Sequence, residues 1–323
     1  MRAPEFWTRT EGYARLVSSL LAPLGWAYGA SVAYKAARAR PYRARARVIC
    51  VGNLSVGGTG KTPLAIVIAR MLQEDGHRPV FLSRGYGGSQ HGPLLVDARS
   101  MTAEEIGDEP LLLARYGAVI VARSRRAGAM LAEQMNFDAI VMDDGHQNFA
   151  LVKDLSLVVI DGDEGFGNGK LVPAGPLREP VAQGLGRADA VVVVGGSVPD
   201  LGSFDGPVLQ SRLVGDCEPW RGRRVVAFAG IGRPEKFFAA ARACGVDLAA
   251  CVAFPDHHPY TTAELSDLAH LSKERDAVLL TTEKDFARLM PEQRSEVGVF
   301  GVEMRLVDAQ RLRHLLARPR WRS

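Results

Sequence analysis

Val48-Ile49-Cys50-Val51-Gly52-Asn53-Leu54-Ser55-Val56-Gly57-Gly58-Thr59-Gly60-Lys61-Thr62 passes from an apolar, β-branched run through a glycine-rich turn into residues with helical spacing. Val48–Val51 reads as a buried strand, and the chain from Lys61 to about Asp75 as a helix. In that context Ser55–Thr62 has the character of a phosphate loop. Its glycines let backbone N–H groups turn inward around phosphates, the helix N-terminus adds positive potential, Lys61 reaches the β and γ oxygens, and the Thr62 hydroxyl suits Mg²⁺. Ser55 stands where the strict pattern has Gly; because Gly57, Gly58 and Gly60 are kept, the loop is read as a variant. The predicted nucleotide-contacting residues are Ser55, Val56, Gly57, Gly58, Thr59, Gly60, Lys61 and Thr62.

A Mg²⁺–nucleotide site also needs a carboxylate at the end of a neighbouring strand, and Ala139–Met142 followed by Asp143-Asp144 supplies it as a Walker B pattern. One acid is expected to hold the metal with Thr62, and the other to orient it or the substrate. Thr282-Glu283-Lys284-Asp285 is the nearest approach to a guanine-reading N-K-x-D, with Lys one place late, so ATP is favoured over GTP. The loop is also similar to that of dimeric switch ATPases, but Val56 replaces the lysine such proteins use across a dimer.

Further apolar runs over Pro79–Leu82, Ala118–Ala122, Leu155–Ile160 and Ala190–Val194 alternate with helical stretches, the pattern of a parallel sheet covered by helices. A second set follows at Val225–Ala229, Cys251–Phe254, Ala277–Thr281 and Val297–Val302, with helices near Pro234–Cys244 and Thr262–Glu274. The Gly-, Pro- and Asp-rich stretch Pro199–Gly222 is the expected boundary. The chain is thus expected to be α/β: a P-loop NTPase-like parallel-sheet domain over 48–215 and a smaller α/β domain over 216–323 that closes over the cleft. Its 323 residues suffice for two cores, and 47% hydrophobic with 24% charged residues excludes wholesale disorder and a polytopic membrane protein.

Residues 1–47 form an arm of another kind. They hold nine Lys/Arg against two acids, and Arg311–Ser323 hold five Arg and no acid, so the body between carries a net charge of −8. Positive ends on a negative body speak against a nucleic-acid groove and for contact of the ends with an anionic surface. Leu16–Tyr34 is nineteen residues without a charge, interrupted by Pro23 and Gly25 and flanked or filled by Phe6, Trp7, Tyr13, Trp26, Tyr28 and Tyr34. The rings favour a membrane–water boundary, and Lys35, Arg38, Arg40, Arg43, Arg45 and Arg47 suit anionic head groups. A membrane-associating helix is expected; a helix packed on its own domain and a single-span anchor stay open, while Glu5 and Glu11 speak against a signal peptide. Cys50, Cys217, Cys244 and Cys251 show no metal-ligand spacing and are expected as buried free thiols in a reducing compartment.

For proton transfer, two loops offer acids or imidazoles. Asp108, in Gly107-Asp108-Glu109-Pro110, opens a helix-like run and serves equally as its N-cap. Asp256-His257-His258 follows an expected strand of the second domain. Ser83-Arg84-Gly85-Tyr86-Gly87-Gly88 and the loop from Gly165 to Pro180, with Arg178, place arginines where they clamp a substrate phosphate or merely make surface ion pairs.

Taken together, Trp26–Gly29, Val51–Pro63, Ser83–Gly88, Gly107–Pro110, Asp143-Asp144-Gly145, Phe166–Glu179, Phe228–Gly232, Asp256-His257 and Thr282–Asp285 give the chain a resemblance, over nearly its whole length, to the tetraacyldisaccharide 4′-kinase (lipid A 4′-kinase) family. The resemblance implies ATP- and Mg²⁺-dependent phosphorylation of the 4′-hydroxyl of an acylated glucosamine disaccharide 1-phosphate by a monomer at the cytoplasmic face of the bacterial inner membrane. It implies Asp108 as catalytic base with His257 as its partner and Lys61 on the phosphates, and Asp143 and Asp144 as Mg²⁺-linked acids. Arg84, Tyr86, Glu109 and Arg178 are the expected substrate contacts. One departure stands out: where the family pattern after Asp143-Asp144-Gly145 is x-Gln-His, this chain has His146-Gln147-Asn148, and the adjacent His146 is a possible substitute. The rival readings are a nucleotide-switch ATPase, marked by stimulation through a protein partner, and a soluble small-metabolite kinase, for which the arm would be superfluous.

Overall fold

A computed structural model describes residues 4–8 and 11–317. Arg318, Arg320 and Arg322 of the basic C-terminus lie outside the described residues. Helix α1 (Gly12–Arg38) precedes β1 (Arg47–Gly52), α2 (Lys61–Glu74), β2 (Pro79–Ser83), β3 (Leu94–Leu95), α3 (Ala103–Ile106), α4 (Asp108–Leu113), β4 (Val119–Val121), α5 (Arg125–Gln134), β5 (Ala139–Asp143), β6 (Leu155–Asp161), α6 (Val181–Leu185), β7 (Ala190–Val194) and β8 (Val208–Gly215). There follow β9 (Arg224–Ala229), α7 (Pro234–Ala243), β10 (Asp247–Ala253), α8 (Thr262–Glu274), β11 (Val278–Thr282), α9 (Glu283–Arg288), β12 (Val297–Phe300), β13 (Val302–Leu306) and α10 (Ala309–Ala317).

Nine strands in the order β13-β8-β7-β6-β1-β5-β2-β4-β3 form the larger sheet, and four in the order β10-β9-β11-β12 the smaller. Among the described residues only the two edge pairs of strands, β13 with β8 and β3 with β4, are antiparallel. Strands buried on both faces need apolar residues at every position, which is why β1, β5, β6 and β7 are continuous apolar runs. Successive side chains of β1 enter opposite layers. Ile49 and Val51 pack with Leu64, Ile68 and Leu72 of α2 and with Leu312, Leu315 and Leu316 of α10. Val48 and Cys50 pack with Ile140, Met142, Ala129 and Ala132. The smaller sheet repeats the device, with Val225 and Ala227 toward α7 and Val226 and Phe228 toward α8.

Four expectations need correction. The stretch Pro199–Gly222 contains β8, whose polar alternation through Gln210 and Arg212 hides a strand with only one well-buried row. The run Val297–Val302 divides at Gly301: β12 closes the smaller sheet, and β13 returns to pair with β8. The smaller unit is therefore shorter than 216–323, because Met304 and α10 cover α2 of the larger one. The chain crosses between the sheets twice, and the crossings are tied where the Asp216 N–H donates to the Gly301 carbonyl at 2.9 Å. Finally, the cysteines are not four buried thiols. Cys217, just after β8, meets Cys244 at the end of α7 in a disulfide with Cα atoms 4.9 Å apart, and Cys251 is exposed; only Cys50 is a buried thiol. The thiol argument for a reducing compartment falls away with them.

α1 both packs and stays bare. Its inner face meets the loop after β6: Ser18 Oγ donates to the Ala174 carbonyl at 2.8 Å, and Gly25 and Gly29 lie against Leu171. Its outer face exposes Tyr13, Leu16, Leu20, Leu24, Trp26 and Tyr34. Among the described residues it is the one helix long and apolar enough to cross a membrane. Of the basic run that follows, Arg47 donates to the Leu316 carbonyl at the end of α10 and Arg43 lies 4.0 Å from Asp154, whereas Lys35, Arg38 and Arg40 remain exposed.

Candidate active site

The expected phosphate loop lies between β1 and α2 at the carboxyl ends of the parallel strands, where open α/β sheets form their ligand crevices. Gly60 precedes Lys61 with φ 91°, a conformation that costs an L-side chain dearly, and so lets the backbone swing from loop into helix. Asn53 Nδ2 donates to Thr59 Oγ1 at 3.1 Å and braces the loop from within. From outside, the Val56 N–H donates to the Pro176 carbonyl at 2.8 Å and the Arg178 N–H to the Leu54 carbonyl at 2.7 Å. Ser55 pairs with Leu177 in the same seam. Gly57, Gly58 and the Val56 side chain face open space.

That seam sets Arg178 against the acidic pair. Arg178 Nη1 donates to both oxygens of Asp144 at 2.9 Å, and Lys61 Nζ lies 3.6 Å from Asp144 Oδ1. Burial opposes ionisation of Asp144, but Lys61 and Arg178 outweigh it and hold its carboxyl below the usual range. Asp143 differs. Thr62 Oγ1 donates to it at 3.0 Å, yet burial, with the charge of Glu109 adding, pushes its carboxyl up to about 7. A buried carboxylate that is costly to ionise beside a hydroxyl is a donor set of hard oxygens short of positive charge, which a divalent cation such as Mg²⁺ fits. Gln147 and Glu179 were missed by sequence reasoning. Gln147 Nε2 donates to the Asn53 carbonyl at 2.8 Å and to Glu179 Oε1 at 2.9 Å, and Arg187 grips the other oxygen of Glu179 at 2.5 Å.

Asp108 opens α4 after Gly107, whose φ is 88° and on which a Cβ would lie 2.5 Å from the Tyr86 carbonyl oxygen. The loop carrying Arg84 and Tyr86 is thereby pressed against the start of α4. Across from it, the smaller sheet presents His257, with φ 59°, and its Nδ1 is 3.1 Å from Asp108 Oδ2. The Asp108 carboxylate also accepts from Arg288 Nη2 at 2.5 Å and Nε at 3.1 Å. Burial works against its charge, but the His257 hydrogen bond and the Arg288 guanidinium prevail and hold it far below the ordinary carboxylate range. The same hydrogen bond raises the His257 imidazole above its ordinary value.

Arg288 was not foreseen. It sits one turn beyond Thr282-Glu283-Lys284-Asp285, a segment read in the sequence as a failed guanine motif and as one mark of the family resemblance, with no role assigned to it. Asp285 Oδ1 accepts from Arg288 at 2.8 Å, from Tyr260 at 2.8 Å and from the Gly230 N–H at 3.0 Å, so the segment scaffolds the Asp108 partner. Lys284 Nζ lies 3.3 Å from Glu109 Oε1; burial alone would lower its pKa, and Glu109 and Asp108 raise it instead. Glu109 thus acts electrostatically on Asp143 on one side and Lys284 on the other, joining the two halves of the site.

Five remaining residues separate cleanly. Tyr86 is exposed with its ring 6.3 Å from that of His257, and Arg84 is exposed on the same loop. His258 turns away, 2.9 Å from Glu264 and stacked on Phe254. His146 cannot stand in for the histidine missing at Asn148: it is fully buried between Ser156 and the Gly184 carbonyl, and burial pushes its pKa down to about 3, which keeps it neutral. Asn148 Oδ1 accepts from the Ala150 N–H at 3.0 Å and shapes its own turn.

The profile of the tetraacyldisaccharide-1-P 4′-kinase family (LpxK) matches residues 17–319. A tetraacyldisaccharide 4′-kinase of Paramagnetospirillum magneticum is 50% identical over 94% of this chain and 94% of its own, and one of Rhodospirillum centenum 48% identical over 98% and 96%. A crystal structure of LpxK from Aquifex aeolicus in complex with ATP superimposes with a TM-score of 0.77 at 27% identity, covering 94% of this chain and 100% of that one. With a family profile that spans nearly the whole chain and relatives at about half identity, the chain belongs to the tetraacyldisaccharide 4′-kinase family.

Proposed function

We propose that the chain transfers the γ-phosphoryl group of ATP to the 4′-hydroxyl of an acylated glucosamine disaccharide 1-phosphate at the cytoplasmic face of the inner membrane. The observation that carries this reading is the Asp108–His257 pair, which joins the two sheets at 3.1 Å beside a phosphate loop. Phosphoryl transfer needs positioning, charge neutralisation and a group to receive the hydroxyl proton. Lys61 and the N–H groups of Gly57–Thr62 bind the triphosphate, the Val56 N–H being spent on the Pro176 carbonyl, and Arg178 keeps Asp144 ionised beside Lys61. Asp108 receives the proton of the acceptor hydroxyl. Its surroundings favour the carboxylate strongly, so the proton is shared with His257 across the Nδ1 contact, and the two titrate as a pair. Thr62 and Asp143 would hold Mg²⁺, which when bound neutralises charge on the triphosphate. Arg84, Tyr86 and Glu109 line the acceptor side.

The bare face of α1 supports a peripheral contact with the membrane, its rings and leucines entering the head-group boundary and Lys35, Arg38 and Arg40 meeting anionic lipid. Closure of the smaller unit over the cleft excludes water from the phosphoryl group. The test is incubation with γ-labelled ATP and a disaccharide 1-phosphate lipid, followed by locating the label. Label on the 4′-oxygen is expected; label released only as free phosphate would overturn the reading.

A further inference from the structure

A cluster of charges at the end of β6 takes no part in the proton-handling or metal-holding groups above. Asp161, Asp163 and Glu164 come from the larger unit, and their partners Arg233 and Lys236 come from the start of α7 in the smaller one. Arg233 Nη1 is 2.5 Å from Glu164 Oε1, and its Nη2 is 3.3 Å from Asp161 Oδ2 and 3.5 Å from the Gly58 carbonyl oxygen. Lys236 Nζ is 3.2 Å from Asp161 Oδ2 and 3.6 Å from Asp163 Oδ2. Gly58 belongs to the phosphate loop, and a Cβ built on it or on Gly57 meets nothing within 4 Å. The space over this part of the loop is open, and a guanidinium stands at its edge.

The Gly58 and Asp161 contacts of Nη2 are long for hydrogen bonds, and the short pair with Glu164 is exposed to solvent, Glu164 being 43% exposed, so the guanidinium can exchange these partners at modest cost. A triphosphate on the loop offers the same guanidinium several charged oxygens in a geometry that suits its forked donors. We propose that Arg233 is a phosphate-contacting residue, supplied by the smaller unit to the terminal phosphates of bound ATP, and that Glu164, Asp161 and the Gly58 carbonyl form its resting place. The inference rests on the kinase reading above. In the transfer the acceptor oxygen bonds to the γ-phosphorus as the bond from that phosphorus to the β,γ-bridging oxygen breaks. The bridging oxygen keeps the electron pair, ADP departs, and the hydroxyl proton goes to the Asp108–His257 pair. Lys61 meets the growing charge from the larger unit and Arg233 from the smaller, which makes efficient transfer conditional on the two units being together. Lys236, on Asp161 and Asp163, keeps the start of α7 docked during the exchange.

The test uses the full chain with Arg233→Ala, Arg233→Lys and Glu164→Gln, reading kcat and KM for ATP and the equilibrium affinities for ATP and ADP. A charged hydrogen bond of about 1.5–3 kcal/mol corresponds to roughly ten- to hundredfold. Arg233→Ala is expected to lower kcat by at least about tenfold, to narrow the preference for ATP over ADP, and to regain part of kcat on addition of guanidinium ion. Arg233→Lys keeps the charge without the fork and falls between. Glu164→Gln, which removes the charge of one resting partner and leaves Arg233 in place, is expected to keep both kcat and the ATP preference. Equal losses in Arg233→Ala and Glu164→Gln, or an unaltered ATP-to-ADP ratio in Arg233→Ala, would show a clamp between units and overturn the inference. Failure of the unsubstituted chain to bind ATP would instead overturn the kinase reading itself.

Discussion

Asp108 and His257 titrate with opposite signs, and the difference is measurable. Asp108 is depressed, so the stability from its pairing is present above the unfolded value near pH 3.9 and is lost as pH falls through the lower folded value. His257 is raised, so its share is complete below about pH 6.5 and is lost as pH rises through the folded value. In Asp108→Asn the largest cause of the His257 shift is gone, and its imidazole pKa, read by NMR titration, is expected to fall toward about 6.5. An unmoved titration would mean that the pair does not form in solution. The same variant should lose transfer while ATP affinity is nearly kept; unchanged turnover would remove Asp108 from its role. Their loops marked both residues as candidates, but it was the family resemblance that paired them, since acids and imidazoles beside glycine or proline recur along the chain. Arg288 was not legible, since no spacing along the chain tells which strand end will face another sheet. His146 shows the converse: residue type suggested chemistry, and burial assigns it to structure, while the turn hydrogen bond from Ala150 does the same for Asn148.

Elements place these groups, and two of them invite direct tests. Helix α1, about 40 Å long by its residue count, has an inner face of Ser18, Gly25 and Gly29 and an outer face of leucines and rings. Replacing Leu16, Leu20 and Leu24 together by Gln should weaken binding to anionic vesicles by roughly a hundredfold or more, given about 1.5–3 kcal/mol for a fully buried Leu, with ATP affinity in detergent unaltered. Retained vesicle binding would exclude this face as the contact. The junction of α3 and α4 at Gly107 is the second. Gly107→Ala adds a Cβ against the Tyr86 backbone at positive φ, and is expected to cost at least about 1–2 kcal/mol and to shift Asp108, lowering kcat as well as Tm. A variant with unaltered Tm would contradict the observed packing. The parallel strands were readable because burial on both faces demands uninterrupted apolar runs. β8 was hidden by its polar row, and β10 begins at Asp247, earlier than the expected Cys251, because Leu248-Ala249-Ala250 is only half buried and lacks β-branched residues.

At the scale of the molecule the smaller unit is an insertion between β8 and β13, and the sequence obscured this. Val297–Val302 reads as one apolar strand, and only the pairing shows that Gly301 sends its two ends to different sheets. A chain ending at Gly301 would leave β8 as an unpaired edge and strip Met304, Leu312, Leu315 and Leu316 from α2. Such a chain is expected to aggregate on expression, with exposed apolar surface detectable by dye binding; a soluble, cooperatively unfolding product would refute the assignment of β13 and α10 to the larger core.

The same placement imposes an order on biosynthesis. Synthesis runs from the N-terminus at about 5–20 residues per second, so the nucleotide-binding half is translated first, yet its last edge strand and covering helix emerge only after the inserted half. The inserted half has all its strands available sooner and is the natural first folder. Until the terminal helix emerges from the ribosome, the earlier half waits for seconds with a greasy flank uncovered, the interval in which a holding chaperone would matter most.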